Sequence, residues 1–311
     1  MPSFSLSAKW HTPCYEKLSA LTWTSGFSIA SHGVKIGVRT SDPSLIPVLK
    51  DSLPTSCELC DAQAVDTVLS IVLGGRDEKT RTRRFHLVYC NHSVFSRSHR
   101  FEEIIDGFKS CLAVNLATLA RRRVFIHAGA VGWQGKAIVF PGKSYSGKST
   151  LVLELIKAGA SYLSDEFAVL DFKGRVHPYP KPISLRKAAN GKQMDVSITS
   201  IGGKMAAAPL PLGLVVDTRF QPNALWLPRT LSPGEGLLSL LANCAAARYA
   251  PERCLRAMER ASENAHFIAS LREEAASVVP EILDLMRAET EADDFAGVVR
   301  GSAESAHSLG L

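Results

Sequence analysis

The sequence predicts an α/β protein: a phosphate-binding α/β domain, preceded by a smaller α+β domain and followed by C-terminal helices. Three observations predict it. Lys136-Ala137-Ile138-Val139-Phe140 reads as a short buried strand and leads into Gly142-Lys143-Ser144-Tyr145-Ser146-Gly147-Lys148-Ser149, which fits G-x-x-x-x-G-K-[ST] at every fixed position. Behind the loop, Leu151, Val152, Leu155 and Ile156 have helical spacing up to Gly159, a natural residue just past a helix end. Before residue 100 the apolar residues come instead in short alternating or continuous runs, as in strands.

The elements follow in order. Phe27–Ala30 and Val34–Val38 alternate around Ser31-His32-Gly33 and predict a hairpin; Val68–Leu73 and Phe85–Tyr89 predict two more strands, and a short helix is expected from Leu45 to Leu53. From Phe101 to Leu119, Ile104, Ile105, Phe108, Leu112, Leu116 and Leu119 predict a helix that ends in Arg121-Arg122-Arg123, basic residues suited to a helix C-terminus. Strands are expected at Val124–Val131 and Lys136–Phe140 and, after the loop helix, at Ser161–Ser164 and Phe167–Leu170. Pro178-Tyr179-Pro180-Lys181-Pro182 must be an extended loop. Residues 190–212, rich in Gly, Ala and Pro, suggest a flap, with strands then at Leu214–Val216 and Ala224–Leu227. Ser232-Pro233-Gly234-Glu235 is a capping box with proline at the first helical position. Further helices are expected from Pro251 and from about Arg272 to Met286. The predicted domains are 1–100, 101–288 and a loosely ordered tail, 289–311.

Bulk properties narrow the function classes. With 46% hydrophobic and 21% charged residues in 311, the chain can bury a real core. No apolar run reaches the eighteen residues of a membrane span, and the N-terminus carries no export signal, so no membrane partner and a cytoplasmic location are expected. The net charge of +6 gathers in arginine clusters without interleaved aromatics or a reading module, so nucleic acid is not the expected partner. Of seven cysteines, only Cys57 and Cys60 lie close in sequence, and no second pair completes a zinc set, so reduced, unligated thiols are expected.

The chemistry-bearing residues cluster around the loop. Successive backbone N–H groups from Gly142 to Thr150 would cradle phosphates, with Lys148 reaching the β- and γ-phosphates and the Ser149 hydroxyl on Mg²⁺. That implies ATP and Mg²⁺ as cofactors. Asp165-Glu166 follows the next apolar strand, where a carboxylate can meet the metal; adjacent acids on a strand end face different sides, so one can bind Mg²⁺ and the other accept a proton. The sequence leaves open which does which, with Asp165 the natural metal ligand beside Ser149. His127 lies on the preceding strand among small apolar residues, as a core residue or as a donor to a phosphate.

His127-Ala128-Gly129 on a strand, the loop, and the paired acid at the end of the next strand together resemble the C-terminal domain of the HPr kinase/phosphorylase family. The resemblance covers about residues 120 to 190. It implies an ATP-dependent serine kinase whose nucleotide domain is of the HPr kinase and phosphoenolpyruvate carboxykinase type. Lys148 and Ser149 would hold phosphates and Mg²⁺, and His127, Asp165 and Glu166 would carry the transfer. It also implies self-association, the related kinases being hexamers.

Departures refine the resemblance. Glu166 stands where the regulatory kinases have aspartate, and Tyr145 where glycine is usual. Pro178 to Arg186 replaces the downstream glycine-rich loop and arginine motif. Ser164-Asp165-Glu166-Phe167 with Pro178–Pro182 looks more like the HPr-kinase-related proteins linked to ribosomal peptide clusters, some of which phosphorylate the C-terminal serine of lasso-peptide precursors. Lys181 and Arg186 would then contact a peptide carboxylate or the γ-phosphate. The expected partner is a peptide or protein with the acceptor serine. A carboxykinase-type metabolite enzyme and a non-catalytic ATP-sensing partner of a modification complex are the alternatives.

Overall fold

The computed structural model describes residues 23–75, 83–143, 146–186 and 193–287. The chain divides into two units, Met1–Arg122 and Arg123–Leu311.

The described residues of the first unit form a six-stranded sheet under a long helix. β1 (Ser25–Ser31) and β2 (Val34–Thr40) form the expected hairpin, turning through His32 and Gly33, both in the left-handed region. The sheet adds β3 (Glu58–Cys60), β4 (Thr67–Val72), β5 (His86–Cys90) and β6 (Ser93–Ser98) in the order β3-β1-β2-β4-β5-β6. α1 (Leu45–Asp51) is slightly shorter than its pattern suggested. α2 (Phe101–Leu119) buries Ile104, Ile105, Phe108, Cys111, Leu112 and Leu116 and packs on β4, β5 and β6. It therefore belongs with the first unit, where the sequence had it opening the second domain. The reason is its apolar stripe, whose partners are the strands immediately before it.

The second unit is built on β7 (Val124–Trp133), a ten-residue strand that changes partners along its length. Its first half pairs antiparallel with β10 (Phe167–Leu170), and its second half with β8 (Lys136–Pro141) on one side and β9 (Ser161–Ser164) on the other. β8 runs parallel to β14 (Leu210–Phe220), and β14 parallel to β16 (His266–Arg272), which pairs with the short β15 (Arg229–Thr230). β11 (Arg175–His177) joins β10 to the start of β14, so β11, β10, β7, β8 and β14 close into a ring. β12 (Ile183–Arg186) and β13 (Gln193–Val196) form a separate antiparallel pair.

The loop helix, α3 (Lys148–Lys157), is only ten residues long and would be marginal alone. It is held by Leu151, Val152, Leu155 and Ile156, which join Val131, Ile138, Phe140 and Val216 in one core. Each such aliphatic burial contributes about 2 kcal/mol. α4 (Pro233–Ala242) and α5 (Pro251–Ser262) cover the other core with Leu240, Cys254, Ala257 and Met258. α4 opens with the expected capping box, Ser232 and Glu235 bonding each other's backbone N–H. The last helix, α6, spans residues 275–287, and Arg272 lies before it as the final residue of β16.

One strand expected from the sequence does not form, and one forms without a sequence signal. Residues 224–227 form no strand, because the chain leaves β14 at Phe220 through turns and rejoins the sheet only at Arg229. β16 is the strand that no sequence pattern marks. Of its seven residues only Phe267, Ile268 and Arg272 are buried, so the period-two signal is absent. The flap expected across residues 190–212 lies partly outside the described residues; the rest holds β13, a short 3₁₀ turn at Thr199–Ile201 and the start of β14. The tail at 289–311 and Cys14 also lie outside. Cys57, Cys60, Cys90, Cys111, Cys244 and Cys254 are free thiols. No helix among the described residues is long and apolar enough to cross a membrane.

Candidate active site

The loop's geometry starts from register. Gly142 N–H donates to the His127 carbonyl (3.2 Å) just as β8 ends, so the loop turns away beside the point where β7 exchanges β10 for β8. Gly147 caps α3 with φ +86°, a left-handed conformation that glycine adopts without cost. The next residues, Lys148, Ser149 and Thr150, form the helix's first turn, whose N–H groups have no intrahelical partner and are available to an anion. Gly129, in the His-x-Gly pattern, leaves room for the helix: a β-carbon there would stand 2.7 Å from Val152 Cγ2. Ser144 and Tyr145 lie outside the described residues.

Lys148 is buried, and its Nζ folds back onto the loop, donating to the carbonyls of Gly142 (2.8 Å) and Lys143 (2.7 Å). Burial pulls its ammonium down to about 8, against the opposing charge of Asp165. His127 shares this environment. Burial chiefly, and then the Lys148 charge, lower its imidazole, while Glu166 opposes them. A neutral ring is therefore favoured at pH 7. The His127 backbone is fixed on both sides, its N–H donating to the Asn243 carbonyl at 2.8 Å.

The acid pair is set by Ser164, whose part in the turn the sequence does not indicate. Ser164 Oγ, fully buried, accepts the N–H groups of Glu166 (3.2 Å) and Phe167 (3.1 Å) and so shapes the turn between β9 and β10. The Glu166 carbonyl takes Ala128 N–H at 3.2 Å, which places the turn against His127. Asp165 and Glu166 are both half-buried. Asp165 acts on the Lys148 charge, and Glu166 forms an ion pair with Lys181. Lys181 is held there because Tyr162 donates its hydroxyl to the Lys181 carbonyl (2.8 Å) and Tyr179 N–H donates to Leu163 (2.8 Å). Tyr179 also packs edge-on against Phe125 and Phe167. The structure thus gathers His127, Lys148, Asp165, Glu166 and Lys181. Arg186 ends β12 further along the chain.

Arg272 is the second residue that the sequence did not reveal. It is 2% exposed at the end of β16, and its Nη2 donates to the Gly147 carbonyl (2.7 Å) from 125 residues away. Nη1 donates to the Glu273 carbonyl at 3.0 Å. Burial lowers its pKa, Glu274 opposing. Among the described residues neither Lys148 nor Arg272 has a carboxylate within ion-pair distance, and both rest on carbonyl oxygens. Ser146 Oγ, also buried, has no hydrogen-bond partner among the described residues. Buried cations ordinarily have a counter-charge, so this concentration of positive charge at a helix N-terminus fits a polyphosphate. Ser149 and Asp165 are the residues that could hold Mg²⁺ with it. Among the described residues, no group of three or more His, Cys, Asp or Glu side chains is gathered to hold a metal by itself.

No family model matches the sequence, and no curated protein does. Among solved structures, the Hpr(Ser) kinase/phosphatase from Coxiella burnetii matches at 15% identity and a TM-score of 0.31, over 55% of this chain and 98% of that one.

Proposed function

We propose that the second unit transfers the γ-phosphoryl group of ATP to a serine hydroxyl of a peptide or protein. The observation that carries this is the convergence, on one flank of a phosphate loop, of His127, Asp165 and Glu166 with the loop lysine Lys148. Loop N–H groups and Lys148 stabilise charge spreading over the transferred group, where positioning and electrostatics supply most of the rate. The serine oxygen bonds to the γ-phosphorus as the bond to the β–γ bridging oxygen breaks, and ADP leaves. Glu166, half-buried beside Lys181, takes the hydroxyl proton. Asp165, on the Lys148 side, would hold Mg²⁺ with Ser149; when bound, the ion neutralises phosphate charge. The neutral His127 ring can hydrogen-bond a phosphate oxygen. Lys181 and Arg186 lie on the stretch that an acceptor's carboxylate would meet.

The test is mass spectrometry of serine-terminated precursor-type peptides, and separately of HPr, after incubation with the protein and Mg-ATP. Phosphate on serine in either substrate, lost in Lys148→Met, supports the reading. ATP bound with no transfer to any serine would make the protein a nucleotide sensor. Turnover driven by a small carboxylate would make it a carboxykinase-type enzyme.

A further inference from the structure

The phosphate loop has two flanks of different character. On one lie the imidazole and the acids, delivered by β7 and the β9–β10 turn. The other is formed by the parallel strands β8, β14 and β16, whose carboxyl ends share one edge. Although the whole sheet is mixed, these three strands are parallel, and the carboxyl ends of parallel strands are where α/β sheets commonly bind ligands. β14 and β16 finish together, Phe220 opposite Arg272. Phe220 adjoins the loop: its N–H donates to the Ser146 carbonyl (3.2 Å), and its Cβ lies 3.5 Å from where a β-carbon on Gly147 would be. The chain beyond is tied down by Leu227 N–H to Ser270 Oγ (2.9 Å) and Gln221 N–H to the Arg272 carbonyl (2.8 Å).

This flank presents apolar side chains to solvent. Phe220 is 46% exposed, and Leu225 and Leu227 in the following loop are 76% and 73% exposed. A triphosphate whose terminal phosphate faces the acids directs its other end toward β14 and β16. The side chain at that end is the exposed aromatic Phe220, on whose ring a purine can stack.

We propose that Phe220 is the seat of the nucleobase, so that the nucleoside half of ATP lies on the carboxyl ends of β14 and β16. This rests on reading Gly142–Thr150 as a phosphate site. Base–aromatic stacking of this kind is worth roughly tenfold or more in affinity. The assignment is tested by isothermal titration of ATP, ADP and inorganic tripolyphosphate into the wild type, Phe220→Ala, Phe220→Trp and Lys148→Met, each checked for folding by circular dichroism. Phe220→Ala should weaken ATP and ADP about tenfold while leaving tripolyphosphate unchanged, and Phe220→Trp should restore both nucleotides. Equal weakening of all three probes would mean that Phe220 only shapes the loop, and unchanged ATP binding would place the base elsewhere; either overturns the seat. The phosphate-loop reading fails separately, if the wild type binds neither ATP nor tripolyphosphate or if Lys148→Met binds both as tightly as the wild type.

Discussion

Replacing Gly147 with alanine perturbs the loop at the point where backbone conformation and a buried charge meet. The native φ of +86° costs an alanine about 1 kcal/mol. The new β-carbon would also stand 2.5 Å from Arg272 Nη2, so the guanidinium must withdraw from the Gly147 carbonyl it now bonds at 2.7 Å. A hydrogen bond from a charged donor contributes about 2 kcal/mol, and at 2% exposure the displaced group has no water to turn to. The expected loss is therefore about 3 kcal/mol. It would be measured by urea unfolding followed by circular dichroism, in the wild-type and Arg272→Ala backgrounds. With Arg272 removed only the conformational part should remain, about 1 kcal/mol. A Gly147→Ala protein within about 0.5 kcal/mol of wild type, or one with the same loss in both backgrounds, would refute the argument that Arg272 braces the loop.

Three further outcomes are expected. On the proposed mechanism, Glu166→Gln should lower kcat at least about 100-fold with little change in KM for ATP, because a proton acceptor would be lost and the phosphate contacts would not; steady-state kinetics with undiminished kcat would remove Glu166 as the base. Asp171, buried where β10 turns into β11, would be raised by burial, but hydrogen bonds from His177, from the Arg175 and Lys173 N–H groups and from the Arg175 side chain outweigh this and hold its carboxyl at about 2. A folded value depressed from 3.8 to about 2 stabilises above pH 4, by about 2 kcal/mol, and is lost as pH falls through 2. The stability gap between wild type and Asp171→Asn should therefore be present at pH 7 and close by pH 2, and a gap independent of pH would contradict the assignment. Ser232→Ala should cost about 1 kcal/mol through loss of the α4 cap and leave ATP affinity unchanged, read by thermal melting beside titration.

What the sequence disclosed was local. The hairpin at His32-Gly33, the glycine loop with its strand and helix, and the Ser232 capping box are each written within about ten residues, in periodicity or turn chemistry. What it hid depends on contacts distant in the chain. Arg272 meets Gly147 because β14 lies between β8 and β16, an ordering that no spacing records. Ser164 reads as an ordinary strand residue until its buried hydroxyl is seen taking two N–H groups. Phe101–Leu119 shows its apolar stripe plainly, yet nothing in the stripe says which sheet it covers. Lys181 was legible as a cation near the site. Its pairing with Glu166 required the Tyr162 and Tyr179 anchors, which fix an otherwise irregular proline-rich segment.

β7 also sets a rule for how this protein can vary. His127 lies at the exchange of partners, with its neighbours on either side committed to different strands. Because successive residues of a strand face opposite ways, adding or deleting one residue between Val124 and Ala128 would turn His127 from one face of the sheet to the other and carry the loop's first hydrogen bond with it. Side chains along that stretch can be exchanged for others of similar volume, but its length cannot change. Working descendants of this chain should differ in length in their turns and termini, and count the same number of residues from the start of β7 to the glycine loop that follows β8.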